Sequence, residues 1–282
     1  MLNRITKTKL EKLKRKLEER GNLLIAFSGG ADSGVLLMVA VDALGKERVL
    51  AVTLDSELLP RSELSHVEDF LKRSDIPYKI VRFPWQQNAD FVRNPYNRCY
   101  YCKSACAKLL KDIAANEGII TIAEGVTVSD SDEYRPGLGA SRQEGVWHPM
   151  VEVGLTKQEV RQIAKEIGLP FWDKPPSPCL ATRIGYGDRI TKKKLKIIEE
   201  AEDLLKAVGL KQLRVRLHHG GIARIEVDKA EMGVFSDTVL LEEVCRKIKV
   251  LGFTYVTLDL EGYRRGSMDM PSHLKASGNT GF

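Results

Sequence analysis

A glycine turn between a strand and a helix is the part of this sequence best suited to chemistry. Residues 28–33, SGGADS, follow an apolar run that predicts a buried strand and precedes one that predicts a helix ending near Gly45. Paired glycines let the backbone approach a ligand closely, and the N–H groups opening the helix favour an anion. The turn therefore predicts a phosphate-binding loop, whose candidate ligands are Ser28, Gly29, Gly30, Asp32 and Ser33. The alternative is an ordinary glycine turn with a capping serine.

The five cysteines are the second group of candidates. Cys99 and Cys102 form a Cys-x-x-Cys motif before a predicted helix, which is typical of a redox pair, half a zinc site or part of an iron–sulfur site. Cys106 and Cys245 fall on predicted apolar helix faces, which indicates buried, inert thiols. Cys179 lies in a proline-rich segment with basic residues nearby, and such cations lower the pKa of a thiol.

Charged residues on two predicted strands form a third group. Arg214 and Arg216 alternate, so they share a face and could clamp a phosphate, although a solvated strand face is the alternative. Glu226 and Asp228 share a face of the next strand and could hold a cation or pair with those arginines. The candidates for contact with a phosphorylated ligand are Arg214, Arg216, Arg183 and Trp85, the last as a stacking surface.

The elements that position these residues alternate between strand and helix. Apolar runs at residues 23–27, 49–54, 78–82 and 119–123 predict strands, with helices between them. This alternation predicts an α/β fold with a doubly wound parallel sheet, in which ligands bind beyond the carboxyl ends of the strands. The glycine turn, Asp55 and Glu124 would all lie on that edge.

The texture of the chain changes near Trp172, where prolines exclude regular helix. Beyond it, helix and strand patterns predict a smaller α+β domain. We therefore expect a first domain over residues 1–185, a C-terminal domain over 186–267 that serves the substrate or oligomerisation, and a mobile tail over 268–282.

Composition narrows the classes of protein. The 282 residues carry 44 Lys and Arg against 38 Asp and Glu, a net charge of +6 that is only weak evidence for a nucleic-acid partner. No apolar run approaches a membrane span, and no signal core follows the first residues, so we expect a cytoplasmic protein. The odd number of cysteines argues against a complete disulfide framework.

Taken together, the motifs resemble the LarE family, and the glycine turn resembles the PP-loop of ATP pyrophosphatases. The segments that carry the likeness are residues 28–33, 98–103, 134–137, 154–160, 172–183, 223–227 and 258–267. LarE proteins are ATP-dependent sulfur transferases that make the pincer ligand of the nickel cofactor of lactate racemase. The turn alone is shared with NAD synthetases, GMP synthetases and tRNA thiolases, whereas the combined motifs are much more specific.

The resemblance implies a fold of the adenine nucleotide alpha hydrolase (PP-loop) type and a two-step reaction. ATP with Mg²⁺ would adenylate a carboxylate of pyridinium-3,5-biscarboxylic acid mononucleotide and release pyrophosphate. A sulfur nucleophile would then displace AMP and leave a thiocarboxylate. Asp32 would act in the first step, and Arg214 and Arg216 would bind the monophosphate of the substrate. The resemblance also implies a homo-oligomer, a hexamer in the family, and an upstream sulfide donor.

The sulfur source is open in the sequence. Cys179 occupies the sulfur-donor position of the family, and in one branch that cysteine sacrifices its sulfur and becomes dehydroalanine. Another branch adds a Cys-x-x-Cys and holds a [4Fe-4S] cluster on three thiolates, which Cys99, Cys102 and Cys179 would supply here. We favour the cluster because Tyr100 and Tyr101 with a downstream helix suit a ligand loop. An unrelated cysteine pair or a disulfide between Cys99 and Cys102 is the alternative.

One motif departs from the family, and two other functions compete. The family usually has Asp-Gly-x-Asn after the fourth strand, whereas this chain has Glu124 and Thr127, which puts an amide contact to ATP there in doubt. A tRNA thiolase would normally carry an RNA-binding module or terminal zinc-binding cysteine pairs, and neither pattern is found here. A non-catalytic ATP-sensing module is disfavoured by Asp32 and Cys179.

Overall fold

The computed structural model describes residues 2–131, 136–175 and 177–268. The chain divides into two compact units. The first comprises the described residues up to Val92 and within Tyr96–Pro178, and the second comprises Arg93–Pro95 and the described residues from Cys179 onward. Cys179 therefore belongs to the second unit, although the sequence placed it in a first domain ending at 185. Residues 269–282 of the expected tail, and Tyr134 and Arg135 of one family motif, lie outside the described residues.

The first unit is built on a four-stranded parallel sheet. Its strands are β1 (Leu23–Ala26), β2 (Val49–Asp55), β3 (Tyr78–Arg82) and β4 (Thr121–Glu124), in the order β3-β2-β1-β4. Strand β1 thus has β2 on one side and β4 on the other. The strand order reverses between β1 and β4, and ligands of such sheets bind beyond the carboxyl ends of the strands at this switch point.

Helices cover both faces of this sheet. They are α1 (Arg4–Arg20), α2 (Ala31–Leu44), α3 (Arg61–Ser74), α4 (Ala89–Val92), α5 (Arg98–Asn116), α6 (Val128–Ser131), α7 (Pro136–Gln143), α8 (Pro149–Glu152) and α9 (Lys157–Glu166). Side chains alternate across β1, so Leu23 and Ile25 join the core with α1, α2 and α9, whereas Leu24 joins the core with α5. The predicted doubly wound α/β fold is confirmed.

Local sequence signals set several helix ends. The side chain of Asn3 accepts a hydrogen bond from the N–H of Thr6 and caps α1. Thr156 and Glu159 form the predicted capping box at the start of α9, with the Thr156 hydroxyl accepting from the Glu159 N–H and Glu159 accepting from the Thr156 N–H. These caps satisfy N–H groups that the first turn of a helix leaves unpaired.

The second unit is the smaller α+β structure. Its sheet contains β5 (Leu213–His218), β6 (Ile222–Val227) and β7 (Tyr255–Leu258), with β5–β6 antiparallel and β6–β7 parallel. Helix α10 (Lys192–Ala207) packs on β5 through an apolar face, and α11 (Thr238–Val250) packs near β7. A short 3₁₀ turn, Leu180–Arg183, directly follows Cys179. Among the described residues, no helix is long and apolar enough to cross a membrane.

Candidate active site

The glycine turn joins β1 to α2 at the switch point. Gly29 has φ +76°, a conformation that side chains with a Cβ rarely adopt, and a Cβ there would lie 2.5 Å from Cγ2 of Val67. Gly30 is the N-cap of α2 and offers no capping side chain. The first N–H groups of the helix therefore face the turn with no capping side chain at the N-cap, as binding of an anion requires.

Ser33 ties the turn together. Its hydroxyl is buried, accepts a hydrogen bond from the N–H of Ser28 at 3.2 Å, and donates to the carbonyl of Gly30 at 3.1 Å. The Ser28 hydroxyl, which is exposed, lies 3.0 Å from the same oxygen. Asp32 stands in the first turn of α2, half-buried. Ser33 thus holds the loop in shape, while Ser28 and Asp32 remain accessible to a ligand.

Strand β4 brings a second segment against the turn. A Cβ on Gly125 would lie 2.5 Å from the backbone nitrogen of Ser33 and 2.7 Å from the carbonyl carbon of Asp32. Only a glycine allows so close an approach of two backbones. Glu124, which precedes it, pairs in register with Ala26 of β1 and so lies at the edge that carries the turn. Asp55 ends β2 on the same edge, where Arg61 binds its carboxylate at 2.6 Å and Arg82 at 3.4 Å.

Glu124 is the centre of a buried polar cluster. It is 4% exposed, and its Oε2 lies 3.0 Å from Nζ of Lys103 and 3.9 Å from Nε2 of His148. Ser141 contacts the same ring nitrogen at 3.0 Å. The Oε1 atom of Glu124 has no hydrogen-bond partner within the described part of the chain. A buried carboxylate oxygen of this kind is available to a donor or cation that arrives with a ligand.

Burial and charge set the protonation of this cluster. Burial lowers the pKa of His148, with the cations of Arg142 and Lys103 acting in the same direction and Glu124 opposing them. Burial would also lower the pKa of Lys103, but Glu124 and the nearby thiols raise it above its usual value. Lys103 is therefore a cation and His148 is neutral near pH 7.

Thr127 replaces the amide expected two residues beyond Gly125. It is fully buried, and its N–H and hydroxyl both donate to Oδ2 of Asp130, at 3.0 and 2.9 Å. Lys157 binds the other oxygen of that carboxylate at 2.7 Å. Thr127 thus holds the local turn, which agrees with the doubt the sequence raised about a nucleotide contact at this position.

The Cys-x-x-Cys motif lies within a helix, which corrects the expectation of a ligand loop. Helix α5 begins at Arg98, so Cys99 and Cys102 are in its first turns. All five cysteines lie in the described part of the chain and none is in a disulfide, which excludes a bridge between Cys99 and Cys102 in this structure. Spacings of three and four residues put Cys99, Cys102 and Cys106 along one side of α5.

Cys106 is not the core residue that the apolar pattern predicted. The buried face of α5 runs through Ala107, Leu110 and Ala114, one position further along, and leaves Cys106 half-buried beside Cys102. The hydrogen bond with Cys102 lowers the pKa of the Cys106 thiol, the Lys103 cation acts in the same direction, and burial opposes both.

Cys179 is half-buried and caps the 3₁₀ turn that follows it. Its carbonyl accepts from the N–H of Thr182 at 2.9 Å, from the Thr182 hydroxyl at 2.8 Å, and from Nη1 of Arg183 at 3.2 Å. Three donors on one carbonyl fix the backbone from which the Cys179 side chain projects.

The predicted phosphate ligands Arg183 and Arg216 lie instead in buried ion pairs. Arg183 is 1% exposed and makes two hydrogen bonds to Glu202 of α10, at 2.9 and 3.2 Å. Arg216 binds Glu226 at 2.9 Å and donates to the Thr182 carbonyl at 3.2 Å. The phosphate roles predicted for these two arginines are wrong for this conformation, because carboxylates occupy their guanidinium groups.

Arg214 lies on the same strand in other surroundings. Its guanidinium is 5.2 Å from the ring centroid of Tyr263, and Nη1 donates to the carbonyl of Leu213. Burial lowers the pKa of Arg214, and the neighbouring cation of Arg183 acts in the same direction. Its role as a phosphate ligand stays a prediction.

Three further candidates have structural duties. Trp85 is 1% exposed, donates its indole N–H to Glu57 at 2.9 Å, and packs edge-on against Phe91, so no ring face is open for stacking. Glu226 is fully buried and binds Arg216 and Arg224. Asp228 is exposed and caps the turn after β6 by accepting from the Ala230 N–H. Within either unit, the described residues form no group of three His, Cys, Asp or Glu side chains able to hold a metal ion.

The sequence reasoning missed Glu202, Lys103 and His148. Glu202 carried a signal, because it lies among Ile198, Ala201 and Leu205 on the apolar face of α10. An acidic residue on a buried face needs a partner, and that partner is Arg183. Lys103 and His148 had no comparable signal, since their meeting with Glu124 depends on how α5 and α8 pack around β4.

Comparison with known proteins agrees with this geometry. A family described as the PP-loop domain matches residues 2–143. The pyridinium-3,5-bisthiocarboxylic acid mononucleotide synthase of Lactiplantibacillus plantarum is 34% identical over 93% of this chain and 94% of its own. An uncharacterized protein of Synechocystis is 38% identical over 93% of this chain and 97% of its own. A GMP synthase of Thermoplasma volcanium is 28% identical over 66% of this chain and 64% of its own.

The parallel sheet, the glycine turn at its switch point and the matched domain define an ATP-binding enzyme of the PP-loop class. The similarity reaches beyond the PP-loop domain into the second unit and includes the segment of Cys179. The chain belongs to the LarE family of ATP-dependent sulfurtransferases.

Proposed function

We propose that this enzyme adenylates a carboxylate of pyridinium-3,5-biscarboxylic acid mononucleotide and replaces AMP by sulfur, giving a thiocarboxylate for a nickel-pincer cofactor of the kind lactate racemase uses. The observation that carries this proposal is the 34% identity over 93% of the chain to a synthase named for the corresponding bisthiocarboxylic acid. The likeness spans both units, so it includes the nucleotide-binding turn and the candidate sulfur donor.

The first step would take place at the switch point. The N–H groups at the start of α2 favour the pyrophosphate end of ATP, and the accessible Ser28 hydroxyl adds a donor. Asp32 and the unpartnered Oε1 of Glu124 supply carboxylate oxygens that suit Mg²⁺. Lys103 is a cation beside them that would favour the charge developing on the phosphates. Adenylation turns a poor electrophile, the substrate carboxylate, into one with a good leaving group.

The second step needs a sulfur nucleophile, and Cys179 is the candidate. Its thiolate would attack the acyl carbon, form a thioester and release AMP. Loss of the Cα proton and cleavage of the Cβ–Sγ bond would then leave the thiocarboxylate on the substrate and dehydroalanine in the protein. Atoms and electrons balance without an oxidant or reductant. Each molecule of protein would act once.

The alternative donor is a [4Fe-4S] cluster. Cys99 and Cys102 suit two thiolate ligands, because they lie along one side of α5 and form no disulfide. Cys179 is the third thiol that the family resemblance implies. When bound, such a cluster would supply a sulfide for transfer and would make the donor renewable. We also propose, on resemblance alone, a cytoplasmic homo-oligomer that receives sulfide from another protein.

Mass spectrometry under anaerobic conditions tests the proposal. The protein is incubated with ATP, Mg²⁺ and the pyridinium substrate, and pyrophosphate, thiocarboxylate product and intact protein mass are followed. We expect pyrophosphate release that depends on the substrate, and loss of product formation in Cys179→Ser but not in the matched variant Cys245→Ser. Pyrophosphate release that ignores the substrate, or full product from Cys179→Ser, would contradict the proposal.

The same experiment separates the two sulfur sources. A protein that loses one H₂S at Cys179 after a single turnover is sacrificial. A brown protein that absorbs near about 400 nm and turns over repeatedly at unchanged mass uses a cluster. In that case Cys99→Ser and Cys102→Ser should lose both colour and repeated turnover, whereas in the sacrificial case they should keep the single turnover.

A further inference from the structure

The backbone around Cys179 is held by a chain of buried hydrogen bonds. Glu202 is the anchor, because its Oε1 accepts from the N–H of Val215 in β5 at 3.1 Å. Both carboxylate oxygens of Glu202 also accept from Arg183, at 2.9 and 3.2 Å. Arg183 then donates from Nη1 to the carbonyl of Cys179 at 3.2 Å. The second sheet is thus connected to the cysteine through two side chains.

A parallel connection holds Thr182, three residues further along. Arg216 binds Glu226, which is fully buried, and donates to the carbonyl of Thr182 at 3.2 Å. The Thr182 hydroxyl and N–H both donate back to the carbonyl of Cys179. Two buried ion pairs therefore converge on the segment from Cys179 to Arg183, and both lie wholly within the second unit.

This arrangement suits positioning better than ligand binding. A planar guanidinium can hold a carboxylate with two donors and a carbonyl with a third, which an ammonium cannot do in the same geometry. Arg183 uses its fork in this way and is 1% exposed, which leaves no surface for an incoming phosphate. An ion pair so deeply buried costs desolvation, so it is weak evidence for a purely stabilising role.

We propose that Arg183 and Glu202 are positioning residues for sulfur transfer, which fix the backbone of Cys179 so that its sulfur is aimed at the acyl carbon. The inference rests on the proposed role of Cys179. Reactions of a held nucleophile depend steeply on its placement, and a shift of about 1 Å can cost about a hundredfold in rate. The pair acts through the carbonyl of Cys179 and does not touch the reacting atoms.

Arg183→Lys is the primary test, because it keeps the charge beside Glu202 and removes the fork. We expect the single-turnover rate constant for thiocarboxylate formation to fall about tenfold or more, while the KM values for ATP and the pyridinium substrate change less than about twofold. Hydrogen exchange of the Thr182 amide, which donates to Cys179, should become about tenfold faster in the resting protein.

Two further variants guard against a general loss of stability. Thr182→Val removes one donor to the Cys179 carbonyl with little change in volume, and should also speed exchange in this segment. Glu159→Gln weakens the capping box and the Lys9 ion pair of the first unit, far along the chain from Cys179. It should lower the free energy of unfolding without altering exchange at Thr182 or the rate of sulfur transfer.

The outcomes separate the positioning role from its alternatives. An increase in KM for the substrate at an unchanged single-turnover rate would make Arg183 a phosphate ligand and overturn the proposal. Unchanged exchange and unchanged rate in Arg183→Lys would overturn it as well. If the parent protein makes no thiocarboxylate, the proposed function fails, yet the exchange of Thr182 still shows whether Arg183 holds this segment.

Discussion

At the scale of single residues, the sharpest constraint falls on Gly29. Its positive φ angle and its approach to Val67 leave no room for a Cβ. Gly29→Ala therefore has to move either the turn or helix α3, and the N–H groups that would face ATP move with the turn. We expect substrate-dependent pyrophosphate release to fall by at least about tenfold, measured with the pyridinium substrate at saturating ATP.

Gly118 offers a matched control for this change. It also has a positive φ, +67°, but a Cβ there would meet nothing within 4 Å. Gly118→Ala should cost about 1 kcal/mol of stability through backbone strain and leave pyrophosphate release unchanged. Equal losses of activity in the two variants would show that backbone strain alone, rather than the shape of the turn, explains the effect of Gly29→Ala.

At the scale of elements, helix α5 shows what a sequence can and cannot reveal. The apolar period correctly predicted a helix there, and the strand and helix signals around it gave the doubly wound sheet. The start of the helix was placed too late, at Lys103 instead of Arg98, because the segment before it offers no capping side chain. That shift moved Cys99 and Cys102 from an expected loop onto a helix.

The arginines of β5 show a second limit. Alternation correctly put Arg214 and Arg216 on one strand, but no local pattern reveals which carboxylate meets which guanidinium. Glu226 comes from the neighbouring strand and Glu202 from α10, so the partners are chosen by sheet register and helix packing. Charged residues that look like ligands in a sequence are often already paired in the fold, and burial is what distinguishes the two cases.

The packing of α5 and α8 around β4 also leads to a pH dependence. Burial lowers the pKa of His148 below its ordinary value of 6.5. Between the two values the unfolded chain binds more protons than the folded one, so the free energy of unfolding falls as pH falls through this window. The melting temperature of the parent should therefore drop more from about pH 7.5 to about pH 5.5 than that of His148→Gln, which cannot titrate. Parallel pH curves for the two proteins would contradict this account.

At the scale of the whole molecule, charge separates a small anionic substrate from a nucleic acid. The chain carries 44 basic and 38 acidic residues, and many of the basic side chains are committed to ion pairs, such as those of Arg61, Arg183 and Arg216. A protein that binds tRNA neutralises many phosphates, so its affinity falls by orders of magnitude over a modest rise in salt. A mononucleotide with one phosphate offers a far smaller charge.

Salt dependence therefore distinguishes a LarE-type reaction from that of a tRNA thiolase. We expect pyrophosphate release to respond to the pyridinium mononucleotide and to ignore added tRNA. Between about 50 and about 200 mM salt, the KM for the mononucleotide should change by only a few fold, since about one or two phosphate charges are bound. Steady-state kinetics at several salt concentrations, with tRNA as the competing substrate, measures both quantities. Stimulation by tRNA, or a change of a thousandfold or so in KM, would instead place the enzyme among the tRNA thiolases.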